Sequence, residues 1–230
     1  MYAMEMSPLP RNKYPEETVK KILDASLRLF LEKGFEQTTV LDIVDNLGGL
    51  TRGAFYHHFK SKDDVLEAIF LMDDVEHNIF EMAKQADLPN GLERVKYVLK
   101  TSLRNNVENK LRKDVTDLAI SLLSSPRFLA EHVKSIQETA RMLAVFLDEG
   151  MADGSIKPGN SKAVAELFFL LVNFWMLPNV FPPKDAEELH AKGEMIDKIF
   201  DALGYGFPDD EMAQLFFNMM ADKGILQKPS

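Results

Sequence analysis

The chain has 230 residues, is 46% apolar and 27% charged, and carries a formal net charge of −9. That length suits one large domain or two small ones with a substantial core, and the composition is that of an ordinary soluble globular protein. The absence of cysteine excludes disulfides, thiolate metal sites and cysteine nucleophiles, and fits a reducing cytoplasm.

The opening stretch MYAMEMSPLPRNKYP lacks the apolar run of a signal peptide. Ile22, Ala25, Ser26, Leu29 and Phe30 then recur at helical spacing. Pro15 suits the first turn of that helix and Gly34 its end. Thr39 followed by Asp42 predicts a capping box, opening a short helix through Val40, Ile43, Val44 and Leu47 that stops at Gly48–Gly49. Thr51 is the expected N-cap of the next helix, with Leu50 and Phe55 placed as a hydrophobic staple. Ser61 with Asp64 predicts a second capping box, leading into Val65, Leu66, Ile69 and Phe70.

Further helices are predicted at about 91–108, 112–124, 127–151, 161–177, 185–203 and 209–222. Pro89–Gly91, Ser125–Pro126, Gly154–Asn160, Pro178–Pro183 and Gly204–Pro208 separate them. The most apolar run, Leu167–Leu177, spans 11 residues, short of the ~20 a bilayer requires, so no membrane span is expected. No hairpin pattern, repeat or low-complexity tract interrupts this reading. The expectation is an all-α protein of about nine or ten helices.

Charge is unevenly spread. Residues 1–62 hold nine Lys/Arg against eight Asp/Glu, a net of +1, while residues 63–230 hold 18 against 28, a net of −10. An acidic body does not attract a polyanion, so any nucleic-acid contact has to come from the first part. That part contains two short helices joined by a glycine turn and preceded by a longer one, a helix-turn-helix pattern. In the second short helix Leu50, Phe55 and Phe59 serve the core, which leaves Thr51, Arg52, Gly53, Ala54, Tyr56, His57 and His58 for a duplex. Arg52 suits a guanine edge or a phosphate, whereas Lys60 and Lys62 are phosphate contacts or solvated charges. The helix starts at Thr39 and Ser61 offer free N–H groups and positive dipole ends.

The run Lys21–Leu66, KILDASLRLFLEKGFEQTTVLDIVDNLGGLTRGAFYHHFKSKDDVL, resembles the DNA-binding domain of the TetR family of bacterial repressors. The resemblance rests on Ile22, Ala25, Phe30, Gly34–Phe35, Thr38–Thr39, Ile43, Gly48, Thr51, Gly53, Tyr56, His58–Phe59 and Ser61–Lys62. It implies a cytoplasmic all-α homodimer. Residues 1–62 would hold the tail and the helix-turn-helix domain that reads a palindromic double-stranded operator; residues 63–230 would hold the effector-binding and dimerisation domain. It also implies that Thr39, Tyr56 and Lys62 meet phosphates. Two departures stand out: one glycine of Gly48–Gly49 is extra, and Val44 replaces the usual alanine. A bulkier Val44 would push the two helices apart, with the extra glycine accommodating it.

The helix within 163–181 is apolar nearly all round, which calls for contact on both faces. With one of the last two helices it is expected to form a symmetric interface. The helices that surround the cavity in the resembled family suggest Tyr97, Leu99, Leu103, Leu118, Leu122, Phe146, Phe168, Val172 and Trp175 as ligand-pocket residues for a small apolar or aromatic effector. Asp73 and His77 form only a single helical pair, short of a metal site. No nucleophile elbow, phosphate loop or cofactor motif occurs, so an enzyme and a bound cofactor are not expected. The leading expectation is a ligand-responsive repressor. The alternative is a helical effector-binding or protein-interaction module with an altered, weakly DNA-binding head.

Overall fold

A computed structural model describes residues 16–49, 51–72 and 75–222. The stripe read at Ile22, Ala25, Ser26, Leu29 and Phe30 is buried along α1 (Glu16–Lys33). α2 (Val40–Asp45) buries Ile43 and Val44, α3 (Arg52–His58) buries Phe55, and α4 (Lys62–Met72) buries Val65, Leu66 and Ile69. α1 packs on both α2 and α4. Leu50 and Pro15 lie outside the described residues, so the proposed staple and the first-turn proline do too.

The chain divides into two compact units, one through Met72 and one from Asp73 onward. This division falls later than the 62/63 boundary read from charge, because α4 buries its apolar side on α1.

The second unit comprises α5 (Val75–Gln85), α6 (Gly91–Glu108), α7 (Lys110–Ser121), α8 (Pro126–Asp153), α9 (Ser161–Leu170), α10 (Ala186–Leu203) and α11 (Asp210–Asp222). The described residues therefore form eleven α-helices and no strand. The helix not anticipated is α5, which buries Ile79, Phe80 and Ala83. A 3-10 turn, Leu122–Ser124, leads into α8, and α9 continues as a π-helical segment, Leu171–Trp175. The amide of Met176 accordingly bonds the carbonyl of Leu171 at 2.9 Å, five residues back. That segment had been expected as plain α-helix.

α6 packs against α5, α7, α8 and α11, while α8 packs against α6 and α9. The core between them is aromatic. Phe80 stacks on Phe146 at 5.9 Å, and Phe168 meets Phe200 and Phe207 edge-on at 5.6 Å each. Edge-to-face pairs of this kind add to area burial.

Where α6 begins, its backbone lies directly on α8. A Cβ placed on Gly91 would stand 2.1 Å from the amide nitrogen of Gly150. The α6 N-terminus is tied down there as well: Gly91 N donates to Asp153 Oδ2 (2.8 Å) and Leu92 N to Ser155 Oγ (3.2 Å). Arg94 pairs with Glu149 at 2.7 Å.

Candidate functional site

The helix-turn-helix forms as its local chemistry dictates. Thr39 Oγ1 accepts from Asp42 N (3.1 Å), while the Asp42 carboxylate accepts from Thr39 N (2.7 Å) and from Lys33 Nζ (2.8 Å). Hydrogen bonds from Lys33 and then Thr39 hold the Asp42 carboxyl well below the usual carboxylate range. Thr51 Oγ1 accepts from Ala54 N at 3.2 Å and so caps α3. Between the two helices Gly48 and Gly49 take φ of +60° and +111°, values an L side chain resists. The extra residue thus sits in a turn that only glycine forms without strain.

α3 is two-faced. Phe55 and Phe59 are buried, their rings 6.1 Å apart. Thr51, Arg52, Gly53, Tyr56, His57 and Lys60 are exposed, with Tyr56 52% accessible, while Ala54 and His58 are half-buried. Burial, and then the neighbouring His57, lower the affinity of His58 for a proton. A Cβ on Gly53 would meet nothing nearer than Thr51 Oγ1 at 3.7 Å. Nothing in this unit's packing therefore demands glycine at position 53.

Two structural details bear on the sequence expectations. Lys62 was read as a phosphate contact or solvated charge, yet its Nζ donates to the carbonyls of Phe35 (2.6 Å) and Glu36 (3.1 Å) and lies 4.4 Å from the Phe35 ring centre. The helix starts are also less open than expected. Asp42 occupies Thr39 N, and Asp64 Oδ2 accepts from Lys60 N at 2.8 Å, while Ser61 Oγ accepts from Asp64 N at 3.1 Å. The Lys62 tie is a tertiary contact beyond local spacing, whereas the caps at Thr39 and Ser61 are those the spacing indicates.

In the second unit Leu99, Leu118, Leu122, Phe146 and Phe168 are buried, whereas Tyr97, Leu103, Val172 and Trp175 are partly buried against the core. None of these nine lines either of two cavities formed by the described residues. One, of about 190 Å³, lies between α9 and α10 and is lined by residues including Leu167, Phe200, Leu203 and Tyr205. The other, of about 400 Å³, is bounded by Asp117, Ile120, Ser121, Leu123, Ser124, Asn179 and Val180. Nothing in the pattern of Asp117, Ser121 or Asn179 had marked them. Asn179 Nδ2 reaches the Ile120 carbonyl at 3.3 Å, a contact between distant segments. The Asp73–His77 pair includes Asp73, which lies outside the described residues.

One further polar group was missed. His132 on α8 meets Phe174 edge-on, ring centres 5.9 Å apart, and its Nε2 is covered yet has no hydrogen-bond partner among the described residues. Burial lowers its affinity for a proton.

Apolar side chains remain uncovered on the later helices: Leu167 and Leu170 on α9, Met195 and Leu203 on α10, and Val180 and Phe181 between them. No helix among the described residues is long and apolar enough to cross a membrane.

Comparison with known proteins places these features. The family model described as bacterial regulatory proteins, tetR family, matches residues 22–69. The HTH-type transcriptional repressor KstR2 of Mycolicibacterium smegmatis is 30% identical over 148 residues, 63% of this chain and 70% of that protein. The HTH-type transcriptional regulator AcrR of Shigella flexneri is 33% identical over 99 residues, 43% of this chain and 46% of its own length. Among solved structures, Salmonella enterica GusR superposes with a TM-score of 0.61 at 21% identity, covering 85% of this chain and 99% of that one.

Proposed function

The chain belongs to the TetR family of bacterial regulatory proteins, and from that membership we propose that it is a ligand-responsive repressor released from a palindromic operator by a small apolar effector. The observation that carries the DNA-binding half is the division of α3 into a buried Phe55–Phe59 side and an exposed side bearing Arg52, Tyr56 and His57. Arg52 reads a base edge or grips a phosphate, and Tyr56 and Lys60 hold the backbone. Thr39 and Thr51 set the helix starts close to the phosphates, Gly53 and Ala54 admit the duplex, and Lys62 fixes α4 to the turn after α1.

The working form is a homodimer. The uncovered Leu167, Leu170, Met195 and Leu203 on α9 and α10 supply a self-complementary apolar face. Two heads then engage half-sites about one DNA turn apart, roughly 34–36 Å, or a multiple of it. The effector prefers the other state of the dimer and shifts the population by its differential affinity. Tyr97, Leu99, Leu103, Leu118, Leu122, Phe146, Phe168, Val172 and Trp175 are the apolar wall that opens to admit it.

The experiment is gel retardation of DNA from the protein's own promoter at low salt. Retardation by the wild-type chain, weakened by roughly tenfold or more in Arg52→Ala and reduced in Tyr56→Phe, supports the reading. Absence of binding to any genomic fragment overturns it in favour of an interaction module.

A further inference from the structure

We propose that the effector's polar end is seated at the seam between the first half of α8 and the π-helical segment Leu171–Trp175, where Val172 and Trp175 form the edge of that apolar wall, that His132 is its hydrogen-bonding residue, and that the effector is an uncharged apolar molecule carrying one hydroxyl or carbonyl. This rests on the reading of the protein as a ligand-responsive regulator.

Three observations meet at that seam. The first is His132 itself. Its Nε2 is covered and unpaired among the described residues, and its ring rests edge-on against Phe174 at 5.9 Å. Buried polar atoms are nearly always hydrogen-bonded, so an orphan of this kind lowers stability unless something else uses it.

The second is the π-helical register. One extra residue in the turn re-aims side chains, and such segments recur at functional sites. All five residues Leu171–Trp175 are half-buried, whereas Phe168 and Phe169 before them and Met176 and Leu177 after them are buried. The segment is therefore neither filled core nor solvated surface. Asn173 does not compete for a ligand, because its Nδ2 is turned back onto the Phe169 carbonyl at 3.1 Å.

The third is the cavity of about 400 Å³. It is bounded by Leu123 and Ser124, which lead into α8, and by Asn179 and Val180, which follow the π segment. Its walls thus include the stretches that precede α8 and follow the π segment, and its volume suits a small ligand.

The ligand class follows from the groups present. Burial keeps the His132 imidazole neutral, and a neutral imidazole offers one donor and one acceptor, which match a hydroxyl or carbonyl. A neutral imidazole supplies no counter-charge for a carboxylate. Phe174 and Trp175 provide the apolar contact.

The test uses the full chain and its single tryptophan, Trp175, as the reporter. Trp175 emission is titrated with 4-propylphenol, with propylbenzene and with sodium 4-propylbenzoate, in wild-type protein, His132→Phe and His132→Gln. The expected result is that 4-propylphenol binds wild type and His132→Gln, and binds His132→Phe about tenfold more weakly. Propylbenzene should bind all three alike, and the benzoate most weakly. Without any probe, His132→Phe should melt at or above the wild-type temperature, since it removes an unpaired polar atom.

The proposal is overturned if 4-propylphenol leaves Trp175 emission unchanged, if His132→Phe binds it as well as wild type does, or if the benzoate binds best. A melting temperature of His132→Phe several degrees below wild type also overturns it, because Nε2 then serves the fold. Promoter retardation by wild-type protein separates the two readings: its loss removes the regulator reading, whereas lost probe discrimination with intact retardation removes only this one.

Discussion

The ammonium of Lys62 stands 2.6 Å from the carbonyl of Phe35 and 4.4 Å from the centre of its ring. A charge at the edge of a DNA-reading motif is thereby spent on joining the start of α4 to the turn that follows α1. Lys60, two residues earlier, is exposed. Lys62→Met should lower the stability of the head by about 1 kcal/mol while leaving the salt slope of DNA binding as in wild type. Lys60→Ala should do the reverse, keeping the melting temperature and reducing that slope by roughly one. Thermal denaturation and DNA titrations from about 50 to 200 mM salt measure both. A reduced slope in Lys62→Met with unchanged melting would reassign Lys62 to the phosphates.

Gly53 has room for a methyl group within its own unit. Gly53→Ala should therefore raise the stability of the head by up to about 0.5–1 kcal/mol, the usual gain of alanine over glycine in a helix. If the exposed side of α3 approaches the duplex closely, the same change should weaken operator binding several-fold. Chemical denaturation and gel retardation of one variant read the two effects, which have opposite signs. Improved stability with unchanged DNA affinity would remove Gly53 from the interface.

Two carboxylates should give pH profiles of opposite slope. Asp42 is held below its ordinary value by Lys33 and then Thr39, so the stability it contributes is present above the unfolded-state value and is lost as pH falls through its folded value. Asp42→Asn should flatten the acid limb of the head's melting curve. Asp197 is held above its ordinary value by burial, then by Asp201, Asp210, Glu194 and Asp209. Its contribution is present below the unfolded-state value and is lost as pH rises through the folded one. Asp197→Asn should accordingly stabilise the body at pH 7 and have little effect near pH 3. Melting temperatures from about pH 1 to 8 decide both cases.

Leu170 is 53% exposed on α9. In a dimer built on α9 and α10, Leu170→Glu places two like charges across an apolar face and should shift the protein to monomer at micromolar concentration. Circular dichroism should show its helix content unchanged, because the side chain leaves no cavity in the core. Light scattering after size exclusion reports the mass. A wild-type chain that elutes as a clean monomer removes the dimer, and an unchanged dimer in Leu170→Glu moves its interface elsewhere.

Legibility from the sequence followed the range of the interactions. Thr39 with Asp42, Thr51 with Ala54 and Ser61 with Asp64 are contacts three residues apart, and each forms as its spacing indicated. α6 and α10 begin and end, and α11 begins, within a residue of the positions read from punctuation. α5 escaped because no glycine or proline separates it from α4 in the sequence. The π register at Leu171–Trp175 escaped because its distinguishing bond is a choice between carbonyls four and five residues back, which an apolar sequence does not encode. In the head, the bond from Lys62 to Phe35 joins residues 27 apart, beyond any local pattern. The ligand region was least legible, since a leucine lining a pocket and a leucine filling a core obey the same periodicity. Leu118 and Phe146 prove fully covered, while the cavity walls include Ser121 and Asn179.

The meeting of Gly91 with Gly150 has a mechanical meaning. Two helices whose main chains touch, with Asp153 and Ser155 of one end holding the first amides of the other, cannot slide past each other without breaking backbone bonds. α6 and the end of α8 therefore act as a single stiff lever. The buried residues of α8 all lie from Ala140 onward, so an effector that alters this body has its freest purchase on the opposite half of α8.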